Sequence, residues 1–485
     1  MSKNTRVKIG LEVHVQITSL RTKLFCSCPS NYRGKPPNSN VCPVCLGLPG
    51  ALPVVNREAI REALKVALAL NSKINKLLIF TRKHYFYPDL PKNYQISQYD
   101  GMGSLPIAKG GFIRIENDSL SKIVRIRRIN IEEDPGRITY PTGSIVTSPY
   151  TLIDYNRSGV ALLEIVTEPD LESPKEARIF ISKLVSILEH LGVTNPELEG
   201  AVRVDANISI EGGERVEIKN IGSPKDVEKA LQYEIARQSA IVKSGGSVNR
   251  ETRHWDKGKG ITVSSRAKEL EEDYRYFPDP DLPPIPISSD LIDEVRSTLP
   301  ELPGDRIKRL MSEYGLSKYL AHVVVIRSKL LADAFESAVR ECGNASTIAS
   351  ILVNELLRWV DECGITIEEG LKRLTTKRIC KLVRYLKEKK LSSKLIKEYI
   401  KKIITEDIDP DDLIGKGYVS IMDLEYLSNV IEEVFKENPK AVEDAKKNPK
   451  AINYLVGQVM KKTMGKADPQ LTYELINKRL KENVC

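Results

Sequence analysis

VKIGLEVHVQI, residues 7–17, alternates apolar and polar side chains without a break. Successive side chains of an extended chain point to opposite faces, so the alternation predicts a β-strand with one face on a hydrophobic core. Glu12 and His14 then project side by side from the polar face. Such a pair belongs either to a solvated surface or to a metal-binding or acid–base site, and this strand alone leaves both interpretations open.

Further stretches repeat this combination of an apolar face and a charged face. GVALLEIV, residues 159–166, is apolar except for Glu164, whose carboxylate requires a cation or a proton if it is buried. The strands predicted at residues 202–210 and 215–219 each have one face of charged or polar side chains: Arg203, Asp205, Asn207, Ser209, Arg215, Glu217 and Lys219. Antiparallel strands of this kind predict a sheet with one buried face and one open polar face, suited to an anionic ligand that carries a metal.

RRINIEEDPGR, residues 127–137, ends in three successive carboxylates, Glu132, Glu133 and Asp134. Neighbouring carboxylates repel one another and stay ionised together only when cations share the charge. The stretch is therefore either a strand end held by nearby arginines or a site for Mg²⁺ and phosphate, since Mg²⁺ takes carboxylate oxygens as ligands. Glu164 and the mixed charges of the other strands favour the metal site.

Two short cysteine pairs, Cys26 with Cys28 and Cys42 with Cys45, flank a loop rich in Gly and Pro. This spacing predicts one tetrahedral Zn²⁺ held by four thiolates, a structural site because no coordination position remains open. The alternative, two disulfides, is disfavoured in the cytoplasm. We expect the other cysteines to be scattered buried thiols: Cys342, Cys363, Cys380 and Cys485.

FTRKHYFYPDLPKNYQISQYD, residues 80–100, interleaves aromatic and basic side chains, among them Lys83 and Tyr85. Aromatic rings among cations suit a nucleotide, because the rings stack on a base and the charges bind phosphates. A rigid proline-rich loop with packed Tyr rings explains the composition equally well. Neither GxxxxGK[ST] nor GxGxxG occurs in the sequence, so the familiar phosphate-binding loops are absent.

The length of 485 residues, with 41% hydrophobic and 29% charged side chains, indicates a globular protein of several domains. No apolar run is long enough to span a bilayer and no secretory leader is recognisable, so we expect a cytoplasmic protein without membrane association. Proline-rich residues 281–290 predict a domain boundary, after which the pattern is helical. Residues 371–410 contain 13 Lys and Arg against 5 Asp and Glu, typical of a nucleic-acid backbone site or of a solvated surface.

Long stretches spread over nearly the whole chain match one known family in their order: IGLEVHVQ (9–16), NSNVCPVCLGLPGALPVVN (38–56), RKHYFYPDLPKNYQISQYD (82–100), EED (132–134), LLEIVTEPD (162–170), VRVDANISI (202–210), EIKN (217–220), DYRYFPDPDLPP (273–284) and YLVGQVMKKTMGKADPQ (454–470). They resemble the B subunit of the aspartyl/glutamyl-tRNA amidotransferase. The resemblance implies an α+β protein. Its catalytic cradle domain, residues 1–294, would have a mainly antiparallel sheet with flanking helices and the zinc knuckle. An all-α domain would follow at residues 295–406, and a small α-helical tail domain that binds tRNA at residues 407–485.

The resemblance also implies a reaction. ATP with Mg²⁺ phosphorylates Asp misacylated onto tRNA(Asn), or Glu misacylated onto tRNA(Gln), and ammonia then displaces the phosphate to give Asn-tRNA(Asn) or Gln-tRNA(Gln). The ammonia comes from glutamine hydrolysis by an amidase, the A subunit, and a small C subunit completes the heterotrimer. The protein would thus be part of a carbon–nitrogen ligase with ATP, Mg²⁺ and a structural Zn²⁺. The alternatives are a non-catalytic tRNA-binding scaffold and the related E subunit of the archaeal Glu-tRNA-specific enzyme, whose large insertion this chain lacks.

By resemblance, the Mg²⁺ ligands are His14, Glu133 and Glu164, with Glu12 beside them in the catalytic site. Charge and position suggest a larger group for binding ATP or substrate: Lys83, Tyr85, Arg203, Asp205, Asn207 and Lys219. The chain departs from the family at Asn130, where a His is frequent, and at Pro135-Gly136-Arg137 in place of Ala-Gly-Lys. A role for a His at position 130 therefore does not carry over.

Overall fold

A computed structural model describes residues 6–117, 120–143, 148–264, 271–415, 424–448, 451–463 and 467–482. The chain divides into two compact units, Met1–Pro303 and Gly304–Cys485. The first unit combines a large sheet with helices and the second is helical, which confirms the predicted α+β class. Among the described residues, no helix is both long and apolar enough to cross a bilayer.

The strands of the first unit follow one another in chain order as β1 (Val7–Gln16), β2 (Lys73–Ile74), β3 (Leu77–Leu78), β4 (Thr81–His84), β5 (Tyr94–Ser97), β6 (Ala108–Lys109), β7 (Phe112–Asn117), β8 (Leu120–Glu133), β9 (Arg137–Thr139), β10 (Leu152–Asp154), β11 (Ala161–Thr167), β12 (Val202–Ile210), β13 (Val216–Ile221), β14 (Glu251–Asp256), β15 (Ile261–Ser264), β16 (Phe277–Pro278) and β17 (Ile285–Pro286). The main sheet runs in the order β15-β14-β13-β12-β1-β11-β8-β6-β2, with β7 paired to β8. Within the described residues, only β13 and β14 pair in parallel in this sheet, so it is mainly antiparallel as predicted. The smaller sheets are β16-β4-β5, β17-β3 and β10-β9.

Strand β1 lies at the centre of the main sheet, between β11 and β12. Its register places Glu12 opposite Asp205 of β12, and His14 opposite both Glu164 of β11 and Arg203 of β12. The apolar side chains of β1 from Ile9 to Val15 are buried, whereas Glu12 and His14 are half-buried. The predicted alternation therefore exists, and the register collects the polar side chains of three strands in one region.

Helices α1 (Arg57–Ala69), α2 (Pro174–His190), α3 (Pro224–Lys243) and α4 (Ser289–Ser297) contribute to the core on the apolar face of the sheet. Asn56 caps α1, and Ser173 and Ser223 cap α2 and α3 with a proline in the first turn, as their sequences predict. Gly192 follows α2 with a φ of 73°, a left-handed conformation that favours glycine.

The helices from Pro303 onward are α5 (Pro303–Tyr314), α6 (Lys318–Arg327), α7 (Lys329–Cys342), α8 (Ala345–Ser350), α9 (Leu357–Cys363), α10 (Ile367–Arg373), α11 (Thr376–Lys387), α12 (Ser393–Glu406), α13 (Pro410–Gly415), α14 (Leu424–Glu437), α15 (Pro439–Lys447), α16 (Ile452–Lys462) and α17 (Pro469–Glu482). Their buried apolar side chains form two separate cores, one between Leu310 and Leu413 and one between Leu427 and Leu480. The division into three domains at residues 294 and 406 stays a prediction, although Leu413 packs in the core that begins at Leu310. Gly465-Lys466-Ala467-Asp468-Pro469 is typical of a turn before a helix, but Gly465 and Lys466 lie outside the described residues.

Cys342 in α7 and Cys380 in α11 form a disulfide, with their Cα atoms 5.5 Å apart. The expectation of thiols at these positions was wrong, because α7 and α11 pack against each other and bring together two cysteines 38 residues apart. Cys363 is a free cysteine but exposed rather than buried, and Cys485 lies outside the described residues.

Candidate active site on the polar face of the sheet

The polar face of the main sheet carries a continuous group of charged and amide side chains, here named the polar basin: Glu12, His14, Asn130, Glu132, Glu164, Arg203, Asp205, Asn207, Glu217 and Lys219. His14 lies at its centre. The Nε2 atom of His14 is 3.5 Å from Oε1 of Glu132 and 3.9 Å from Oε1 of Glu164. Ligands of one Mg²⁺ with bonds of about 2.1 Å lie about 3 Å apart, so both carboxylates would have to move closer to His14 before the three side chains could share one such ion.

Glu164 is a largely buried carboxylate with its charge compensated. Asn130, opposite it on β8, donates a hydrogen bond of 2.5 Å from Nδ2 to Oε2 of Glu164. Burial alone would raise the pKa of Glu164, but Arg128, His14 and Lys83 outweigh it and lower the pKa below its ordinary value. The sequence predicted that a cation or a proton would compensate the charge of a buried Glu164. The neighbouring side chains supply cations.

Glu132 and Glu133 are adjacent in β8 and their side chains have different partners. Glu132 approaches His14 and accepts a hydrogen bond of 2.8 Å from the Ser97 hydroxyl of β5. Burial, followed by the charge of Glu164, raises the pKa of Glu132. Glu132 therefore belongs to the polar basin, where a divalent cation would relieve the repulsion between the two carboxylates.

Glu133, the residue nominated from the resemblance, is not brought to His14 and Glu164. Its carboxylate pairs with Lys92 Nζ at 2.5 and 2.6 Å and accepts a hydrogen bond of 2.9 Å from the backbone amide of Ile96. The period of two in a strand explains the difference, because Glu132 shares a face with Asn130 whereas Glu133 projects the other way.

A second carboxylate cluster lies beside the first. Oxygen atoms of Glu12, Asp205 and Glu217 lie within 4.8 Å of one another. Asn207 donates a hydrogen bond of 3.0 Å to Glu12, and Lys219 Nζ is 3.9 Å from Asp205 and 3.7 Å from Glu217. Burial raises the pKa of Glu12, and the charges of Glu164, Glu217 and Asp205 raise it further. Oxygen-rich clusters of this kind suit a hard divalent cation.

Lys83, on β4, is surrounded by tyrosines. Its Nζ lies 4.9 Å from the ring centre of Tyr274 and 5.7 Å from that of Tyr85, and the Tyr99 and Tyr276 rings stack 4.6 Å apart. Burial lowers the pKa of Lys83, but Tyr276, Tyr85 and Glu132 outweigh burial and hold the pKa well above its usual value. Lys83 therefore stays cationic, with its charge directed to the carboxylates of the polar basin.

Arg203 is already engaged. Its guanidinium donates a hydrogen bond of 2.7 Å to Asp134, whose other oxygen accepts one of 2.7 Å from Gln16. The Asp134 carboxylate raises the pKa of Arg203 against the effect of burial. Arg203, which the sequence suggested as a substrate-binding residue, thus holds the end of β8 in place.

The four cysteines of the predicted knuckle lie together, with their sulfur atoms within 4.8 Å of one another. A tetrahedral Zn²⁺ with bonds of about 2.3 Å places its sulfur ligands about 3.8 Å apart, so the cluster fits this metal after a small contraction. The hydrogen bond from Cys26, helped by the Cys42 amide and Lys23, lowers the pKa of Cys45 to about 4 although burial opposes this. None of the four cysteines forms a disulfide.

The sequence placed Glu132 in the carboxylate stretch and Glu217 on a polar strand face, but it favoured Glu133 over Glu132 and assigned no individual role to Glu217, Tyr274 or Tyr276. Alternation from Asn130 would have chosen Glu132. Tyr274 and Tyr276 offered no local signal, because they reach Lys83 through the pairing of β16 with β4, almost 200 residues earlier.

Comparisons with known proteins agree over the whole length. The family model described as the GatB/GatE catalytic domain matches residues 7–293, and the model described as the GatB domain matches residues 333–480. The B subunit of the aspartyl/glutamyl-tRNA(Asn/Gln) amidotransferase of Sulfurisphaera tokodaii is 59% identical over 98% of this chain and 99% of its own. The proteins of the same name from Carboxydothermus hydrogenoformans and Thermotoga maritima are 45% and 46% identical, over 97% and 98% of this chain and 98% and 99% of their own.

Proposed function

The chain belongs to the B-subunit family of aspartyl/glutamyl-tRNA(Asn/Gln) amidotransferases, and we propose that its polar basin activates the carboxyl group of Asp or Glu misacylated onto tRNA. ATP phosphorylates that carboxyl group, and ammonia then displaces phosphate to leave Asn-tRNA(Asn) or Gln-tRNA(Gln). The related archaeal E subunit stays the alternative, while the similar proteins cited above are all named as B subunits.

His14, Glu132 and Glu164 hold the Mg²⁺ of this reaction in our proposal. Glu132 replaces Glu133, because only Glu132 lies beside His14. Phosphoryl transfer depends on positioning and on neutralising charge over the phosphate oxygens, and a bound Mg²⁺ supplies that neutralisation. Asn130 keeps Glu164 oriented through its hydrogen bond, which gives this position a role without the His that relatives often have there.

Glu12, Asp205 and Glu217 are suited to a second divalent cation that accompanies ATP. Burial and the charge of Glu164 raise the pKa of Glu12, the charges of Glu217 and Asp205 raise it further, and a cation would offset this repulsion. Lys219 lies next to Asp205 and Glu217, Lys83 interacts with Glu132, and both supply fixed positive charge for phosphate oxygens. Tyr85 flanks Lys83 and orients it, whereas Asn207 orients Glu12.

The partners follow from the family. Its members are named as one subunit of an amidotransferase, and we propose that this chain works with a glutamine-hydrolysing A subunit and a small C subunit. The ammonia of the second step then comes from the A subunit. Either tRNA(Asn) or tRNA(Gln), or both, is the carrier, and amidation assays with both misacylated tRNAs distinguish these cases.

The proximity of His14 to two carboxylates carries this proposal against the alternative of a non-catalytic scaffold. Buried like charges are costly, and a protein that only binds tRNA gains nothing from placing Glu132 and Glu164 around one imidazole. Such arrangements are typical of sites that bind a cation or perform chemistry.

The test is Glu164→Gln in the complex with its partner subunits, which keeps the shape and removes the charge. We expect amidation and tRNA-dependent ATP hydrolysis to fall at least about a hundredfold, equivalent to about 2.7 kcal/mol of barrier. Glutamine hydrolysis by the partner should survive. Glu168→Gln is the matched control, because Glu168 follows the same strand but pairs with exposed Arg127 outside the polar basin. Near wild-type amidation by Glu164→Gln would refute the site assignment.

A further inference from the structure

Lys23 is unusual for a lysine, because its whole side chain is buried and lies outside the polar basin. Its exposed fraction is 0%, and it follows β1 in the segment that leads to Cys26. Its Nζ donates a hydrogen bond of 2.9 Å to the backbone carbonyl of Asn40 and one of 3.6 Å to Sγ of Cys45. No carboxylate among the described residues lies within ion-pair distance of Lys23, so the sulfur is its nearest anionic group.

A buried ammonium group is stable only where an anion compensates its charge. A neutral thiol at Cys45 could not do so, whereas a thiolate could. Four thiolates around one Zn²⁺ carry a net charge of minus two, and the negative charge is shared by the sulfur atoms. The positive charge of Lys23 halves the net negative charge of the metal centre. Because Lys23 is buried, water does not screen this interaction.

The packing around Lys23 fixes this contact. Gly159, at the entry to β11, has a φ of 85°, and a Cβ atom added there would lie 3.4 Å from Cys45 Cβ and 3.6 Å from Lys23 Cδ. The backbone amide of Leu24 also donates a hydrogen bond of 2.9 Å to the Gly159 carbonyl. Lys23 is thus held between the knuckle and the sheet, without room to turn its charge to solvent.

We propose that Lys23 is the internal counter-ion of the metal centre formed by Cys26, Cys28, Cys42 and Cys45. It strengthens metal binding, because its positive charge offsets part of the negative charge of the four thiolates. This proposal rests on metal binding by the four cysteines and does not depend on the reaction of the polar basin. Outer residues that contact metal ligands commonly change metal affinity ten- to a hundredfold.

The experiment compares Lys23→Met, which keeps the length and removes the charge, with Lys35→Met in the full-length chain. Lys35 is the matched control, because its Nζ contacts the side-chain oxygen of the same Asn40 at 3.2 Å and no sulfur. Zinc content is measured first in the wild type, and zinc affinity is then measured in all three proteins by competition with a chromogenic chelator. We expect one zinc per chain, at least tenfold weaker binding in Lys23→Met, and a change below twofold in Lys35→Met.

A second measurement separates the lost counter-ion from simple misfolding. At saturating zinc, the knuckle of Lys23→Met should resist proteolysis as well as the wild-type knuckle, because the change lowers zinc affinity and leaves the loaded fold intact. A variant that merely folds badly would be less resistant even at saturating zinc. Unchanged zinc affinity in Lys23→Met, or a zinc-saturated knuckle less resistant than that of the wild type, overturns the proposal. Absence of zinc from the wild-type protein overturns the metal assignment itself. That result leaves the proposed amidation reaction of the polar basin untouched.

Discussion

At the scale of single residues, Glu132 and Glu133 have opposite tasks although they are neighbours. Glu132 faces His14, and we expect Glu132→Gln to reduce tRNA-dependent ATP hydrolysis about a hundredfold without loss of stability, because it removes a repelled charge. Glu133→Gln leaves Lys92 buried without its anion, so we expect a loss of about 3 kcal/mol. At about 2 °C per kcal/mol this lowers the melting temperature by about 6 °C.

The pair of variants is its own control, since each removes one carboxylate charge from the same strand. Calorimetry and ATPase assays on the two proteins should give opposite patterns. If Glu133→Gln were the inactive but stable variant, the metal would lie on the Lys92 side of β8 and our choice of Glu132 would be wrong.

At the scale of elements, the disulfide between α7 and α11 closes a loop of 38 residues in the helical unit. In the chain-entropy model a loop of this size is worth about 4 kcal/mol, because the cross-link restricts the unfolded chain. We therefore expect Cys342→Ala to lower the melting temperature of the helical unit. Addition of a reductant should lower it similarly in the wild type and leave the variant unchanged. Cys363→Ala, which removes a free exposed cysteine, is the control and should have no effect.

A buried ion cluster joins α5 to α7 in the same unit. Arg306 donates hydrogen bonds of 2.9 Å to Glu336 and 2.7 Å to Asp333. Burial would raise the pKa of Glu336, but its bonds to Arg309 and Arg306 outweigh burial and lower the pKa. A lowered folded-state pKa gives stability that is present above the unfolded value, about 4.3, and is lost as the pH falls through the folded value.

The resulting prediction concerns the difference between two melting curves. The melting temperature of wild type should exceed that of Glu336→Gln above about pH 5, and the difference should shrink steadily towards pH 3. Circular dichroism at a series of pH values measures it. A difference that stays constant with pH would mean that the variant loses packing rather than charge.

The sequence was informative where a pattern is local and periodic. Alternation predicted β1 and β12, and capping residues predicted the starts of α1, α2 and α3. The register between strands could not be predicted from the sequence, because the contact of His14 with Glu132 depends on β11 lying between β1 and β8. Two-residue strands such as β16 carry no period at all, and hence the approach of Tyr274 and Tyr276 to Lys83 was not predicted.

At the scale of the whole molecule, much of the basic cluster at residues 371–410 is neutralised within the protein. Arg378 pairs with Asp407, and Lys381 with Asp409 and Asp411. Within the part of the chain that the structure describes, four lysines of the cluster are exposed and have no ion-pair partner: Lys377, Lys387, Lys389 and Lys401. The nucleic-acid interpretation of the cluster therefore depends on these few lysines.

We expect the double change Lys387→Glu and Lys389→Glu to weaken tRNA binding and flatten its salt dependence. Each lost phosphate contact should reduce the slope of log affinity against log salt by about 0.7 to 0.9. Filter binding at several salt concentrations measures the slope. Lys257→Glu with Lys259→Glu, a pair of exposed lysines with the same spacing in the first unit, is the control. Equal slopes for all three proteins would identify the cluster as a solvated surface.

Removal of the tail tests the remaining part of the tRNA proposal. A cut at Asp407 would break the ion pairs of Arg378 and Lys381. It would also remove Leu413 from the core between Leu310 and Leu413, so the cut belongs after Gly415. The shortened chain should bind tRNA at least about tenfold more weakly, about 1.4 kcal/mol, and bind ATP normally. Unchanged tRNA affinity would place the tRNA contacts in the residues that remain.

The central place of β1 in the sheet has a consequence during synthesis. Its partners are β11 and β12, so Val7 meets Ile210 only after some 200 further residues have been translated. At about 5 to 20 residues per second this takes about 10 to 40 s. For that time the nascent chain exposes an apolar strand with two unsatisfied edges, a form prone to association with other chains. The strand that carries Glu12 and His14 thus needs protection by chaperones at the ribosome.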